Sequence, residues 1–235
     1  MKESYAKSKD NVLIHFLDNE GSDSSLPPLV VVPGMMGLAG FHERELQELL
    51  PRRVIAITHR GLGKSQVIEP GQGSFAARTS DIATVVEHLD LEKYFLYGFS
   101  RGVSLVVAHS LKSPQRVLGL ILHDCEPTYP KISEKWRDML IAANRPHIPA
   151  KTVEAYCKDS ELVDLNSRLN ELPCPTLILR GEKEGSLLPE AKAKEMKEFL
   201  QNSEIMSLPN SAHELADLDH ALFVRSLEQF MIEQL

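Results

Sequence analysis

Short, nearly unbroken apolar runs recur along the chain, and stretches with helical spacing separate them. Leu29–Val32, Val54–Ile57, Tyr94–Tyr97, Val117–Leu122 and Thr176–Leu179 show little polar alternation. Strands covered on both faces, as in parallel sheets, have this appearance. Val12–Phe16 alternates instead, which suggests a strand, and a polar turn follows around Asn19–Ser25. Glu204–Leu208 reads as a last strand.

Between these runs the period changes to that of a helix. Ser80–Leu89 places Ile82, Val85, Val86 and Leu89 on one stripe, and His42–Leu50 is a shorter pattern of the same kind. Val103–Leu111 is apolar nearly all round, so it should be buried. Glu190–Leu200 and Leu218–Ile232 have amphipathic spacing. Strands alternating with helices imply βαβ crossovers, and so an α/β fold with a mostly parallel sheet and helices on both faces.

The rhythm breaks once. From Pro127 to Pro173 no convincing strand stands out, only helix-like pieces at Ser133–Ala143, Ala150–Cys157 and Leu162–Leu169, punctuated by prolines. An insertion between sheet strands projects from the strand ends, where open α/β sheets bind ligands. The expectation is one domain over residues 1–235 with a short helical cap at about 127–173. Ordinary sheet-packing helices are the alternative.

Composition narrows the class. The 235 residues are 43% hydrophobic and 25% charged, with a formal net charge of −7. An acidic balance argues against nucleic acid as a partner. No stretch approaches the roughly 18 apolar residues that cross a bilayer, and the start carries no leader-like apolar run, so no membrane and a cytoplasmic location are expected. Cys125, Cys157 and Cys174 lack CxxC spacing, so neither a disulfide framework nor a metal site is expected.

The strongest chemical signal is Gly98-Phe99-Ser100-Arg101-Gly102, which follows an apolar strand directly and opens a buried helix. Glycine-flanked serine alone is a weak pattern, but the strand before and the helix after make it specific. A serine exposed at such a turn adopts a strained backbone, and strand and helix approach too closely for β-carbons at positions 98 and 102. The Arg101 amide then sits at a helix start, where free N–H groups favour negative charge.

Gly63-Lys64-Ser65 suggests nucleotide binding, but position 58 is Thr where a phosphate loop requires Gly. His213-Glu214 does not continue into a zinc-binding HExxH pattern.

With these motifs the sequence resembles the α/β-hydrolase fold superfamily, from about Val12 to Phe230. Further landmarks are Val31-Val32-Pro33-Gly34, Arg60-Gly61-Leu62-Gly63-Lys64-Ser65, Leu179-Arg180-Gly181-Glu182-Lys183-Glu184 and Asn210-Ser211-Ala212-His213. The likeness is to small esterase, lactonase and C–C-bond hydrolase members. It implies a serine nucleophile at Ser100 and a base at His213, in the order serine, acid, histidine. His123, at a strand end, is the rival histidine, with a structural role the simpler reading.

The acid has two candidates. The resemblance points to Glu184, three residues after the glycine of Arg180-Gly181, where relatives usually carry Asp. Asp124, at the end of the preceding strand, is the rival, because some relatives place the acid there. The second oxyanion donor is expected after Leu29–Val32. Relatives often read His-Gly-x there, and Pro33 replaces the His, which leaves the Met35 amide as partner to that of Arg101. Met35 and Met36 side chains line an acyl pocket or pack in the core. Cys125 is expected to be a buried, inert thiol.

The implied function is cofactor-free hydrolysis of a small-molecule ester, lactone or thioester through an acyl-enzyme on Ser100. C–C-bond hydrolysis, a small-molecule sensor with slow hydrolysis and a non-catalytic interaction module are the alternatives. Nothing in the sequence points to an oligomeric state.

Overall fold

The computed structural model describes residues Met1 to Leu235. Its elements in chain order are β1 (Lys2–Lys7), β2 (Leu13–Asp18), β3 (Leu29–Val32), α1 (Glu43–Glu48), β4 (Val54–Ile57), α2 (Phe75–His88), β5 (Tyr94–Phe99), α3 (Gly102–Lys112) and β6 (Val117–His123). There follow β7 (Thr128–Tyr129), α4 (Glu134–Ala142), α5 (Ala150–Asp159), β8 (Val163–Asp164), β9 (Thr176–Gly181), α6 (Glu190–Phe199), β10 (Ser203–Leu208) and α7 (Asp217–Ile232).

Eight strands form one sheet in the order β1-β2-β4-β3-β5-β6-β9-β10. β2 pairs antiparallel with both β1 and β4, and every pairing from β4 to β10 is parallel. The pleat explains why the central strands read as solid apolar runs. Val30, Val32, Ile55, Ile57 and Leu96 face one core, whereas Leu29, Val31, Val54, Ala56, Phe95 and Tyr97 face the other. The first core takes α2, α3 and α6 through residues such as Ile82, Val85, Val103, Val106 and Met196. The second takes α1 and α7 through Leu46, Phe223, Leu227 and Phe230. Burying each such side chain contributes about 1.5–3 kcal/mol, enough for the two layers to fix the register of the sheet.

Four elements differ from the sequence expectation, the first being the two-residue strand β7 inside the segment that showed no convincing strand. β1 is an edge strand whose only fully buried residue is Ala6, so it carried no apolar run to read. α2 begins at Phe75, one turn or more before Ser80, because the Ser74 hydroxyl accepts from the Ala77 amide and caps the helix. The stretch expected as a helix at Leu162–Leu169 is instead the two-residue β8 followed by a 3-10 helix over Asn166–Glu171.

The segment between β6 and β9 holds α4, α5 and the small β7–β8 pair. It is anchored to the body by Thr152 Oγ1 on the Gly61 carbonyl (2.8 Å) and Tyr156 Oη on the Arg60 carbonyl (2.6 Å). No helix is long and apolar enough to cross a membrane.

Candidate active site

The parallel strands end at one edge of the sheet, and register brings their ends level. Phe99 on β5 pairs with His123 on β6, and His123 in turn with Leu179 on β9. Ser100 therefore emerges beside Asp124 and near the loop after β10.

Ser100 has φ +52°, a left-handed conformation that a β-carbon makes costly. It is fixed by its own N–H donating to the His123 carbonyl (2.9 Å) and by the Val103 N–H donating to its carbonyl (3.0 Å). The flanking glycines permit the turn. A Cβ on Gly102 would lie 2.4 Å from the Val32 carbonyl oxygen, and one on Gly98 would lie 2.8 Å from the Gly102 carbonyl.

The Ser100 Oγ lies 2.9 Å from Nε2 of His213, whose Nδ1 lies 2.9 Å from Oδ2 of Asp124. A carboxylate only accepts, so Nδ1 carries the ring proton and Nε2 is left to accept from the serine hydroxyl. Phe99 stacks on the imidazole at 4.8 Å between centroids, which holds the plane of the ring.

Asp124 is fully buried. Burial pushes its carboxyl up. Hydrogen bonds from His213, the Ser186 hydroxyl and the Leu187 and Gly181 amides outweigh that and hold it below the usual aspartate value. It has φ +52° as well, so two neighbouring strands are each followed directly by a residue in a strained backbone conformation.

Glu184, the first choice for the acid, lies exposed and makes no contact with His213. The structure brings Asp124 to the imidazole instead. The physical reason lies at the end of β9 and in the loop after it: Gly181, Ser186 and Leu187 turn their donors inward onto Asp124, which leaves Glu184 facing solvent.

The His213 loop is built to stay in place. The Asp219 carboxylate, at the start of α7, accepts from the Asn210 amide, the Asn210 side chain and the Ser211 hydroxyl. The Lys183 N–H donates to the Ser211 carbonyl (2.9 Å), tying the loop to the end of β9. Gly181 allows this contact, because a Cβ there would fall 2.0 Å from the Ala212 carbonyl oxygen. Asp219 and Phe99 were not singled out from sequence. Phe99 sits inside the nucleophile motif, and an acid in the first turn of a helix after a catalytic loop is a readable signal.

The loop after β3 passes directly over the serine. A Cβ on Gly34 would lie 3.2 Å from the Ser100 Cβ. The Met35 and Arg101 amides donate to no group of the protein. The Arg101 side chain turns away, donating to the Thr128 carbonyl (2.7 Å).

His123 is buried, its Nδ1 2.8 Å from the Tyr97 hydroxyl, and burial pushes its ring down to about 4. The ring is neutral at neutral pH and does not touch the serine oxygen. Burial pushes the Cys125 thiol up. No three His, Cys, Asp or Glu side chains converge to hold a metal ion.

Ser100 and His213 open into a cleft of about 510 Å³. Met35, Met36 and Phe41 supply apolar wall, and Arg145 and His147 reach it from the segment between β6 and β9.

A family model described as "alpha/beta hydrolase fold" matches residues 27–147, just over half of the chain. A curated relative named "Putative carbamate hydrolase RutD" from Agrobacterium fabrum is 21% identical, with 93% of this chain and 98% of the relative covered. Among solved structures, an esterase from Exiguobacterium antarcticum aligns with a TM-score of 0.80 at 22% identity, covering 98% of this chain and 99% of that one. A thermophilic esterase from Thermogutta terrifontis aligns with a TM-score of 0.82 at 23% identity, covering 100% and 99%.

Proposed function

Because the chain belongs to the α/β-hydrolase fold family, we propose that it is a serine hydrolase that cleaves small carboxylic esters, lactones or thioesters through an acyl-enzyme on Ser100. The observation that carries this reading is the imidazole of His213 bridging Ser100 Oγ and Asp124 Oδ2, at 2.9 Å on each side. A serine hydroxyl becomes a useful nucleophile only when a base in this position takes its proton.

In the mechanism, Nε2 of His213 accepts the Oγ proton as the oxygen attacks the carbonyl carbon. Asp124 keeps the proton on Nδ1 and stabilises the imidazolium that forms. The negative charge moves to the carbonyl oxygen, which is received by the Met35 and Arg101 amides, both without a partner in the protein. The imidazolium then gives its proton to the leaving oxygen or sulfur. Water, deprotonated by the same Nε2, attacks the acyl-enzyme and releases the acid. The segment at about 127–173 serves as the cap, its Arg145 and His147 bounding the cleft.

The names of the similar proteins agree with this chemistry. A carbamate and an ester both present a carbonyl carbon with a heteroatom leaving group. A cleft of this size suits small substrates of that kind.

The test is turnover of p-nitrophenyl acetate and butyrate, with a fluorophosphonate probe alongside. Rapid turnover and labelling of the wild-type protein, both lost in Ser100→Ala, are expected. Stoichiometric labelling with negligible turnover across many esters would replace the enzyme with a slow-turnover sensor. Absence of labelling would leave a non-catalytic interaction module.

A further inference from the structure

From the contacts around the loop after β3, we infer that Arg78 is a positioning residue: its buried guanidinium holds the Met35 backbone in the orientation that aims the Met35 amide at the substrate oxyanion. The inference rests on the serine hydrolase reading and names a part of the site that the triad does not include.

Arg78 lies on α2 and is 1% exposed, yet it forms no ion pair of its own: Asp81, the carboxylate that senses its charge, is held by Arg60. Burying a charge without a counter-charge costs several kcal/mol unless hydrogen bonds offset it. Here the compensation is incomplete. Nη2 donates to the Met35 carbonyl (2.9 Å) and Nη1 to the Tyr129 hydroxyl, while Nε has no partner. The plane lies over the rings of Tyr156 (4.6 Å) and Tyr129 (5.5 Å). The Met35 carbonyl is the backbone group that this costly buried cation holds.

The loop needs such a hold. Gly34 gives the Gly34–Met35 peptide freedom to rotate, and rotation would turn a carbonyl toward the oxyanion in place of the N–H. Within the loop the one backbone bond is Gly37 N–H to the Gly34 carbonyl (2.9 Å), which leaves the Met35 peptide groups free. Two side chains pin the loop from outside. His59 Nε2 lies 3.0 Å from the Pro33 carbonyl, and Arg78 takes the Met35 carbonyl. Burial, then the Arg78 charge, pushes the His59 ring well below its usual value, so the ring is neutral and donates from Nε2. Together they fix the peptides on both sides of the Gly34–Met35 bond.

Arg78 also joins two parts of the chain. Tyr129 stands on β7 and Tyr156 on α5, both in the segment between β6 and β9. The cation set against those rings is the same one that holds Met35, so the seating of the segment sets the oxyanion loop.

The experiment compares wild type with Arg78→Met, Arg78→Lys and Tyr129→Phe. Hydrolysis of p-nitrophenyl butyrate is measured together with inhibition by 1,1,1-trifluorooctan-2-one, which forms a tetrahedral oxyanion on the serine, and by octan-2-one, which binds without forming one. For Arg78→Met the expected result is a kcat lower by about 30- to 300-fold, somewhat short of the roughly 100- to 1000-fold for an oxyanion donor lost outright, with KM changed less than about threefold. The trifluoroketone should weaken by a similar factor and octan-2-one should not. Arg78→Lys, which still reaches the carbonyl with one donor, should recover part of the loss, and Tyr129→Phe should show a smaller loss of the same kind.

Equal weakening of both ketones, or a folded Arg78→Met with near wild-type kcat, would overturn the inference. Should Arg78→Met not fold, Arg78→Lys and Tyr129→Phe carry the decision by the same ratio of ketone affinities. Wild-type protein that neither turns over the ester nor reacts with a fluorophosphonate would remove the hydrolase reading and this inference with it. A reactive wild type with unaffected variants would remove only the role of Arg78.

Discussion

Oδ2 of Asp124 stands 2.9 Å from Nδ1 of His213, although 89 residues separate them in the chain. Its other side-chain hydrogen bonds come from the end of β9 and the loop after it, the loop that carries Glu184. Asp124→Asn presents an amide to Nδ1 and favours the wrong tautomer, so kcat for p-nitrophenyl butyrate should fall by about 10⁴-fold. Glu184→Gln alters an exposed side chain and should change kcat by less than about threefold. Steady-state kinetics on the two purified variants checks both, and the reverse ranking would return Glu184 to the role.

Gly181 controls the seat of the His213 loop. A β-carbon there would fall 2.0 Å from the Ala212 carbonyl, against backbone that cannot yield without moving the His213 loop. Gly181→Ala should therefore lower kcat by about 10- to 100-fold, as a displacement near 1 Å does, while the fold survives. Circular dichroism and kinetics on the same sample separate the two effects.

Much of this was legible in the chain because local chemistry dictated it. The runs at Leu29–Val32, Val54–Ile57 and Tyr94–Tyr97 had to be strands buried on two sides, and the two cores are built from their alternate residues. The turn at Ser100 was legible because only glycine fits where strand and helix meet. β1 was not, since an edge strand with one buried residue has no apolar signature. The choice between Glu184 and Asp124 was not either. Both follow the end of a strand, and what separates them is which way the β9 loop turns its donors, a property of the assembled sheet. Arg78 and Asp219 escaped notice for a related reason. Each acts on a loop distant in sequence, and no spacing encodes that.

Buried histidines make stability depend on pH. His109, on α3, lies 2.7 Å from the Tyr94 hydroxyl through Nε2, and burial pushes its ring down from 6.5 to about 4. Its folded value is below its unfolded value, so the unfolded chain binds a proton first as pH falls. The stabilisation from keeping it neutral is full above about 6.5 and is lost progressively toward 4. Between pH 7 and 5 the loss is about 2 kcal/mol for one such histidine. Urea unfolding at pH 7, 6 and 5 should show falling stability, with a shallower dependence in His109→Gln. A flat profile in the wild type would contradict this account of burial.

The central claim is that Ser100 carries the acyl group during turnover. Rapid acid quench of the protein mixing with p-nitrophenyl butyrate, followed by peptide mass spectrometry, measures it directly. The account predicts a transient butyryl adduct on the peptide containing Ser100, accumulating in wild type and absent in Ser100→Ala. Ester turnover with no adduct there, or with turnover intact in Ser100→Ala, would contradict it.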